Sequence, residues 1–458
     1  MTLKVGCAGV LALATVFLAN STRAGDRVNV RAMGMARSSA AISRGLDAVG
    51  TNPANLALPG DDVMTFTVLP FGVLVGSDFL TYDLFTKYFT GGHSLTSLSA
   101  SDKQQILQAF QAPMGSSRAE AVARLFGMTL RTGETSSMAF SIDYGLVGAA
   151  AIPREYAQLL LFGNTPGTSY QINDLAIQAF WARTYTLSYG MQLPAPSFLT
   201  WLAAGAGVKM VQGYGYYEIQ HLDASLATGP EGLISGSVQW SARSSNIDAF
   251  SNPAADFFRS PAGYGVGFDV GLSGGFDGFF SFGLSINDIG SVRWTQNAET
   301  TSSDSVANGV EPKEFMSIRR LSYAVGGSRK VSQAFSSLLP AAIRFGIATR
   351  VDRFAERDGF PGQLTIAAEF LTSLGPDSPI SEQPRTSLGI EYKPVPWLPL
   401  RTGFSIGGSS ASRLAFGFGF NFRWLDFDLG TEDILWLFDG RNFSSGSAGM
   451  SVRFRVPQ

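Results

Sequence analysis

The chain has 458 residues, among them 52 Gly and 35 Phe, with 15% charged residues and a formal charge of −2. That balance leaves no basic footprint and argues against nucleic acid as a partner. The length allows two or three soluble domains. High Gly and high Phe without one long apolar run fit a transmembrane β-barrel better: Phe faces lipid, Gly packs the crowded inner wall, and each strand needs only about 9–11 residues to span.

Residues 1–24 read as a cleaved signal peptide. Lys4 supplies the positive start, Val5 to Ala19 the apolar stretch, and Thr22-Arg23-Ala24 an acceptable site for cleavage before Gly25. The only cysteine, Cys7, lies in this segment, so the expected mature chain has no disulfide, no cysteine–zinc site and no thiol nucleophile.

Residues 25–60 are rich in Ala, Gly and Ser, carry Arg31, Arg37 and Arg44, and show no clean alternation. They end in Asn52-Pro53-Ala54-Asn55, where Asn-Pro favours a turn. This segment is expected to tuck inside a barrel as a plug, with 61–458 forming the barrel. The first strand is placed near 62–72, with Met64, Phe66 and Val68 outward. A helical insert is expected over about 100–128: a capped amphipathic helix beginning at Ser101-Asp102-Lys103-Gln104, and a second over 116–128 with Ala121, Val122, Leu125 and Phe126 apolar.

Period-two alternation then resumes, as expected of strands whose faces meet different surroundings. Met138, Phe140, Ile142 and Tyr144 face out against Ser141 and Asp143, and a long loop is placed at roughly 147–178. Next come Tyr185/Leu187/Tyr189/Met191, then Val266/Phe268/Val270/Leu272 and Phe280/Phe282/Leu284/Ile286, the last two joined by a tight turn at Gly274 to Gly278. Leu321/Tyr323/Val325, Ile343/Phe345/Ile347, Leu364/Ile366/Phe370 and Leu388/Ile390/Tyr392 follow the same rule. So do Leu414 to Phe422 and Met450 to Val456. About fourteen antiparallel strands are expected, with short turns in the periplasm and long loops outside.

The inward faces of the later strands carry Arg344, Arg350, Glu369, Glu391, Lys393, Arg401, Asp426, Asp428, Arg453 and Arg455. An Arg facing lipid at the midplane costs about 2–4 kcal/mol, so these charges are assigned to the lumen as an ion-paired filling, or else as a polar path. Tyr185, Tyr189, Trp240, Trp294, Trp397, Trp424 and Trp436 are assigned to interface girdles. His93 and His221 neighbour no nucleophile or acidic motif of recognised spacing, and no His or Cys cluster suggests a metal; neither an enzyme nor a cofactor is expected. Leu159 to Phe162 are read as an apolar loop tip able to meet a hydrophobic ligand. Phe454 is the nearest substitute for a terminal aromatic assembly signal.

Several stretches resemble the superfamily of outer-membrane barrels that holds the long-chain fatty-acid transporters and the barrels associated with type IX secretion. They are Asn52-Pro53-Ala54, then Tyr264 to Gly271 followed by Asn287-Asp288-Ile289-Gly290 and Trp294, and Pro399 to Phe404 followed by the Gly-Phe strand and Leu425 to Asp428. Together with the helix at Ser101 to Gln104, the chain is most similar to an uncharacterised bacterial family within that superfamily. The resemblance implies a fourteen-stranded outer-membrane barrel with Asn52, Pro53 and Ala54 in an N-terminal hatch. A passive channel for a small hydrophobic compound, gated by that hatch, is the leading expectation. A docking scaffold for secreted or surface proteins is the alternative. The expected partners are outer-membrane lipid, a hydrophobic small molecule and the barrel assembly machinery.

Overall fold

The computed structural model describes residues 28–58, 62–90, 98–163, 166–229, 231–251, 259–310, 329–354, 361–375, 379–380, 383–408, 412–440 and 442–457. The expected signal peptide, His93 and the Leu321/Tyr323/Val325 strand lie outside the described residues.

Twenty strand segments form one antiparallel sheet. Several join end to end, so the wall has fourteen staves. Asp62–Thr67 and Phe71–Ser77 share a stave, broken where Leu69 takes a positive φ of 54°. Ile234–Ser245 and Gly263–Phe276 both pair with Trp201–Thr228 and share another. Closure comes from Ser445–Pro457, which pairs with Leu425–Thr431 on one side and with the first stave on the other. The short links 277–279, 394–399 and 422–424 lie at the end where Asp62 meets Pro457. The links 78–113, 154–168 and 432–444 lie at the other end. By the usual asymmetry, the first end is periplasmic.

Alternation sorts the wall cleanly. Val266, Phe268, Val270 and Leu272 are exposed, as are Phe345, Ile347, Leu388, Phe404, Leu414 and Phe416. The residues between them are small or charged and buried. A sheet closed on itself with an apolar outer band satisfies its backbone without water. The chain is an outer-membrane β-barrel.

Three expectations need correction. Residues 116–128 are not helical; Met114–Arg131 is one strand. A register shift between Arg124 and Phe126 puts Leu125 out of phase, so the apolar spacing imitates a helix. The helical part of the insert is instead Tyr82–Phe89 and Ala100–Gln108. The expected loop at 147–178 is largely strand at its ends, since Ser136–Pro153 and Ala176–Leu193 run on past the lipid band; Arg154–Phe162 between them is a helix. Trp294 is not in a girdle. A shift between Ile286 and Ile289 reverses the facing of the strand Phe280–Trp294, and Trp294 ends fully buried inside, donating from Nε1 to Ser337 Oγ at 2.9 Å.

Candidate functional site

Three regions concern the inside and the rim of the barrel. The first is the segment Val28–Leu58. It is almost wholly buried and is built of tight turns: a helical turn Val30–Met33 capped by Asn29, and 3-10 turns at Gly45–Ala48 and Pro53–Ala57. It lies against the inward face of the wall, touching staves all round the barrel, and the wall meets it with glycines. A methyl group on Gly403 would sit 2.5 Å from the carbonyl carbon of Met35, and one on Gly190 2.6 Å from the carbonyl oxygen of Pro53. Methyls on Gly205, Gly283, Gly389 and Gly417 would likewise collide with Pro53, Ala40, Met35 and Gly34. These positions form a collar whose missing Cβ atoms are the space the segment's backbone occupies.

Polar contacts fix the segment on that collar. Asn52 Oδ1 accepts from Ala54 N at 3.1 Å, while its Nδ2 donates to Ala40 O at 3.1 Å and to Ser273 Oγ at 2.9 Å. Asn55 Nδ2 donates to Ala40 O at 2.9 Å, and its Oδ1 accepts from Ser273 Oγ. Of the expected motif, Asn52 and Asn55 thus bond to wall or segment, and Pro53 and Ala54 pack on the collar. Arg37, with a positive φ of 63° directly after Ala36 at 51°, pairs with Glu432 at 2.7 Å. Two successive non-glycine residues in the left-handed region cost roughly 1–3 kcal/mol each and persist only where surrounding contacts hold them.

The second region is the charged lumen. Glu369 accepts from Arg344 at 3.0 Å and from the amides of Ser39 and Ala40, both at 2.8 Å. Glu391 accepts from Arg31 at 2.8 Å and Arg401 at 2.7 Å, with Lys393 at 3.7 Å. Arg401 continues to Asp428; Asp426 pairs with Arg455, and Arg453 reaches Asp47 of the segment at 2.6 Å. Arg350 pairs with Asp352, at 2.6 Å, in the turn below. Hydrogen bonding from Arg350 holds the Asp352 carboxyl below the usual range. Arg344 and Glu369 are buried, Arg350, Glu391, Lys393, Arg401, Asp426, Asp428, Arg453 and Arg455 line one chamber, and each of the ten has an opposite charge beside it. Further buried pairs, outside the expected set, are Arg124–Asp143, Arg118–Glu120, Arg37–Glu432–Arg413 and Lys209–Asp269; Asp143 and Asp269 stand on the polar face of clear alternations, which is the signal in the sequence for them. Beneath the segment a polar chamber of about 910 Å³ opens among these charges at the periplasmic mouth.

The third region is an apolar pocket of about 160 Å³ at the opposite end. Its wall residues Val75, Ala119, Ala150 and Ile177 are related by strand pairing to the face of Phe71 and Val73, which is the lipid-facing side. The helices Tyr82–Phe89, Ala100–Gln108 and Arg154–Phe162 cover it, packing on one another through Tyr88, Ile106, Leu107 and Leu161. Leu160 and Leu161 of the expected greasy tip line this pocket, while Phe162 stays exposed. Ser99 and Asp102 form a capping box for the middle helix, one residue pair earlier than the sequence suggested. Tyr88 OH bonds Asp102 at 2.9 Å, and hydrogen bonds from Ser99 and then Tyr88 hold that carboxyl below its ordinary range.

Phe454 faces outward and stacks on Phe66 across the closing seam, ring centroids 5.0 Å apart. His221 lies on a strand, half exposed, 3.0 Å from Asp223. Among the described residues no group of three or more His, Cys, Asp or Glu could hold a metal.

A family model described as "Family of unknown function (DUF5723)" matches residues 63–432. No curated protein matches the chain. Solved structures similar to it include a mutant of the TodX monoaromatic hydrocarbon channel, at 13% identity over 94% of this chain and 98% of that one, TM-score 0.49. The Ralstonia pickettii toluene transporter TbuX matches at 12% identity over 93% and 97%, TM-score 0.47. A Pseudomonas aeruginosa FadL homologue matches at 11% over 96% and 99%, TM-score 0.47.

Proposed function

The chain belongs to DUF5723, a family of unknown function, and we propose that it is a passive outer-membrane conduit for a small hydrophobic compound, gated by its N-terminal segment. The apolar rim pocket carries this reading. A preformed apolar cavity with few polar atoms recruits a ligand by the hydrophobic effect alone. Its volume of about 160 Å³ is close to the ~150 Å³ of an engineered cavity known to hold benzene, so one aromatic ring or a short alkyl stretch is the matching size. The segment on its glycine collar is the gate, because passage through the lumen requires it to shift. Such transport uses no cofactor and no reaction is assigned.

Purified protein in liposomes tests the reading through uptake of labelled toluene. Deleting residues 28–58 is expected to raise both uptake and ionic conductance. Unchanged conductance, together with stoichiometric co-purification of a secreted or surface protein, would instead favour a docking scaffold. Insertion would rely on the barrel assembly machinery reading Phe454; Phe454→Ser is expected to lose the heat-modifiable form from membranes, and full retention would remove Phe454 from that role.

A further inference from the structure

The periplasmic chamber has a sign. Among the described residues its lining holds nine Arg and Lys side chains, among them Arg31, Arg350, Arg353 and Lys393, against five carboxylates. The whole chain carries −2, so cations are gathered here against the general balance. The pairs are also oriented. Arg31 keeps 22% of its side-chain surface and Lys393 24%, while the Glu391 they share keeps 3%. Arg455 keeps 30% against 3% for Asp426, and Arg350 29% against 12% for Asp352. In these pairs the carboxylates stand behind and the cations present themselves to the void, whereas Arg401 is buried between Glu391 and Asp428. Glu391 is shared by Arg31, Arg401 and Lys393, and Arg401 also pairs with Asp428, so three cations meet two carboxylates and the cluster is positive.

We propose that this chamber is a binding site for a small anion carrying two or more negative charges, entering from the periplasm. Low-dielectric walls around a cleft of one sign focus its field and raise the local concentration of counter-charge. Arginine forks suit both carboxylate and phosphate oxygens. A chamber of about 910 Å³ admits a molecule of metabolite size. Arg31 belongs to the N-terminal segment, so an anion held between Arg31 and Lys393 ties the segment to the wall by a second bridge beside Glu391. The bound anion therefore stabilises the seated segment, since a ligand that binds only the folded arrangement favours it. This site is independent of the hydrophobic pocket and stands or falls separately.

The test is calorimetric titration of the full chain in zwitterionic detergent at low ionic strength, with citrate as the carboxylate probe and inorganic pyrophosphate as the phosphate probe. Saturable binding of at least one is expected, with a raised melting temperature, and the probe that binds more tightly identifies the chemistry. Raising salt from about 10 to 150 mM shortens the screening length from roughly 30 to 8 Å and should weaken binding. Lys393→Gln and Arg353→Gln should each weaken it about tenfold or more, whereas Lys87→Gln, on the opposite rim, should leave it unchanged. Migration of heated and unheated samples on gels confirms the barrel in each variant; should Lys393→Gln fail that check, the turn residue Arg353 decides. Absence of saturable binding to both probes at millimolar concentration, or binding indifferent to the chamber variants that fold, overturns the proposal.

Discussion

The two ends of the barrel solve opposite problems with the same wall. At the periplasmic end the lumen is laced with charge, and ion pairs from Arg31 and Asp47 pin the segment Val28–Leu58 there, while Arg37 pairs with Glu432 toward the far end. At the far rim three helices cover an apolar pocket whose wall is alanine and branched aliphatic side chains. Buried charges tolerate little rearrangement, because removing one partner strands the other without water. Apolar contacts are non-directional, and their surfaces can part and re-form at a cost set by area. The contrast makes the rim the adaptable element and the pinned segment the discrete switch.

The contrast breaks most severely at Arg37. Arg37→Met leaves the buried Glu432 with Arg413 alone, at 3.3 Å; stranding a buried charge altogether costs about 3–5 kcal/mol, and much of that loss is expected here. Thermal unfolding should move down sharply, and limited proteolysis should find 28–58 accessible. An unchanged melting temperature would show that the segment is not held by this pair. A smaller loss is expected on the collar, where no charge is touched: overpacking costs about 1–3 kcal/mol. Gly403→Val places a side chain where Met35 now lies, whereas Gly375→Ala, whose methyl would meet only Ser373 Oγ at 3.9 Å, serves as the control. If the two behave alike in melting and in bilayer conductance, the collar is not a seat.

The rim sharpens the comparison from the other side. Ala150→Trp fills the pocket with its own indole and leaves the segment's contacts alone. Toluene uptake should fall about tenfold, equivalent to 1.4 kcal/mol, with conductance and melting nearly unchanged. Equal loss in uptake and in melting would mean that the pocket is structural packing and not a ligand site.

How much of this was legible follows from where lipid touches the wall. Strands bathed in lipid on one face and segment or ions on the other show the period of two outright, as from Leu388 to Tyr392 or Leu414 to Phe420. Above the lipid band that pressure lapses, and Gly148-Ala149-Ala150-Ala151 reads as loop although it is strand. Bulges hide the rest. One extra residue beside Arg124 made a strand look helical, and the shift between Ile286 and Ile289 sent Trp294 inside when strict alternation put it out. The inward charges were legible because lipid forbids them outside, but their pairing was not. Arg31 and Glu391 are 360 residues apart, and only the closed wall brings them together. The collar was unreadable for a related reason: its glycines are scattered through the strands and become a ring only once the staves are placed side by side.

The smallest effect belongs to the helical cover and distinguishes the rim from the pinned lumen by its response to acid. Asp102 is partly exposed, and its carboxyl is held low by the Ser99 hydroxyl and then by Tyr88. A depressed folded value means that its contribution is present above the ordinary aspartate value of about 3.9 and is lost as pH falls through the folded one. Lys87 is shifted the other way by Tyr88, so its contribution is present below the ordinary lysine value of about 10.4 and is lost only as pH rises above it. Between those limits the cover should be indifferent to pH. Below about pH 4, Ala100–Gln108 should fray from its capped end, seen as faster amide exchange there after correction for intrinsic rates. Ser99→Ala should produce the same fraying at neutral pH, since losing an N-cap costs about 1 kcal/mol, and should abolish most of the acid response. If exchange over these residues in the unchanged protein is the same at pH 3 and pH 7, the capping box does not govern the cover, and the rim is held by the apolar contacts of Tyr88, Ile106, Leu107 and Leu161 alone.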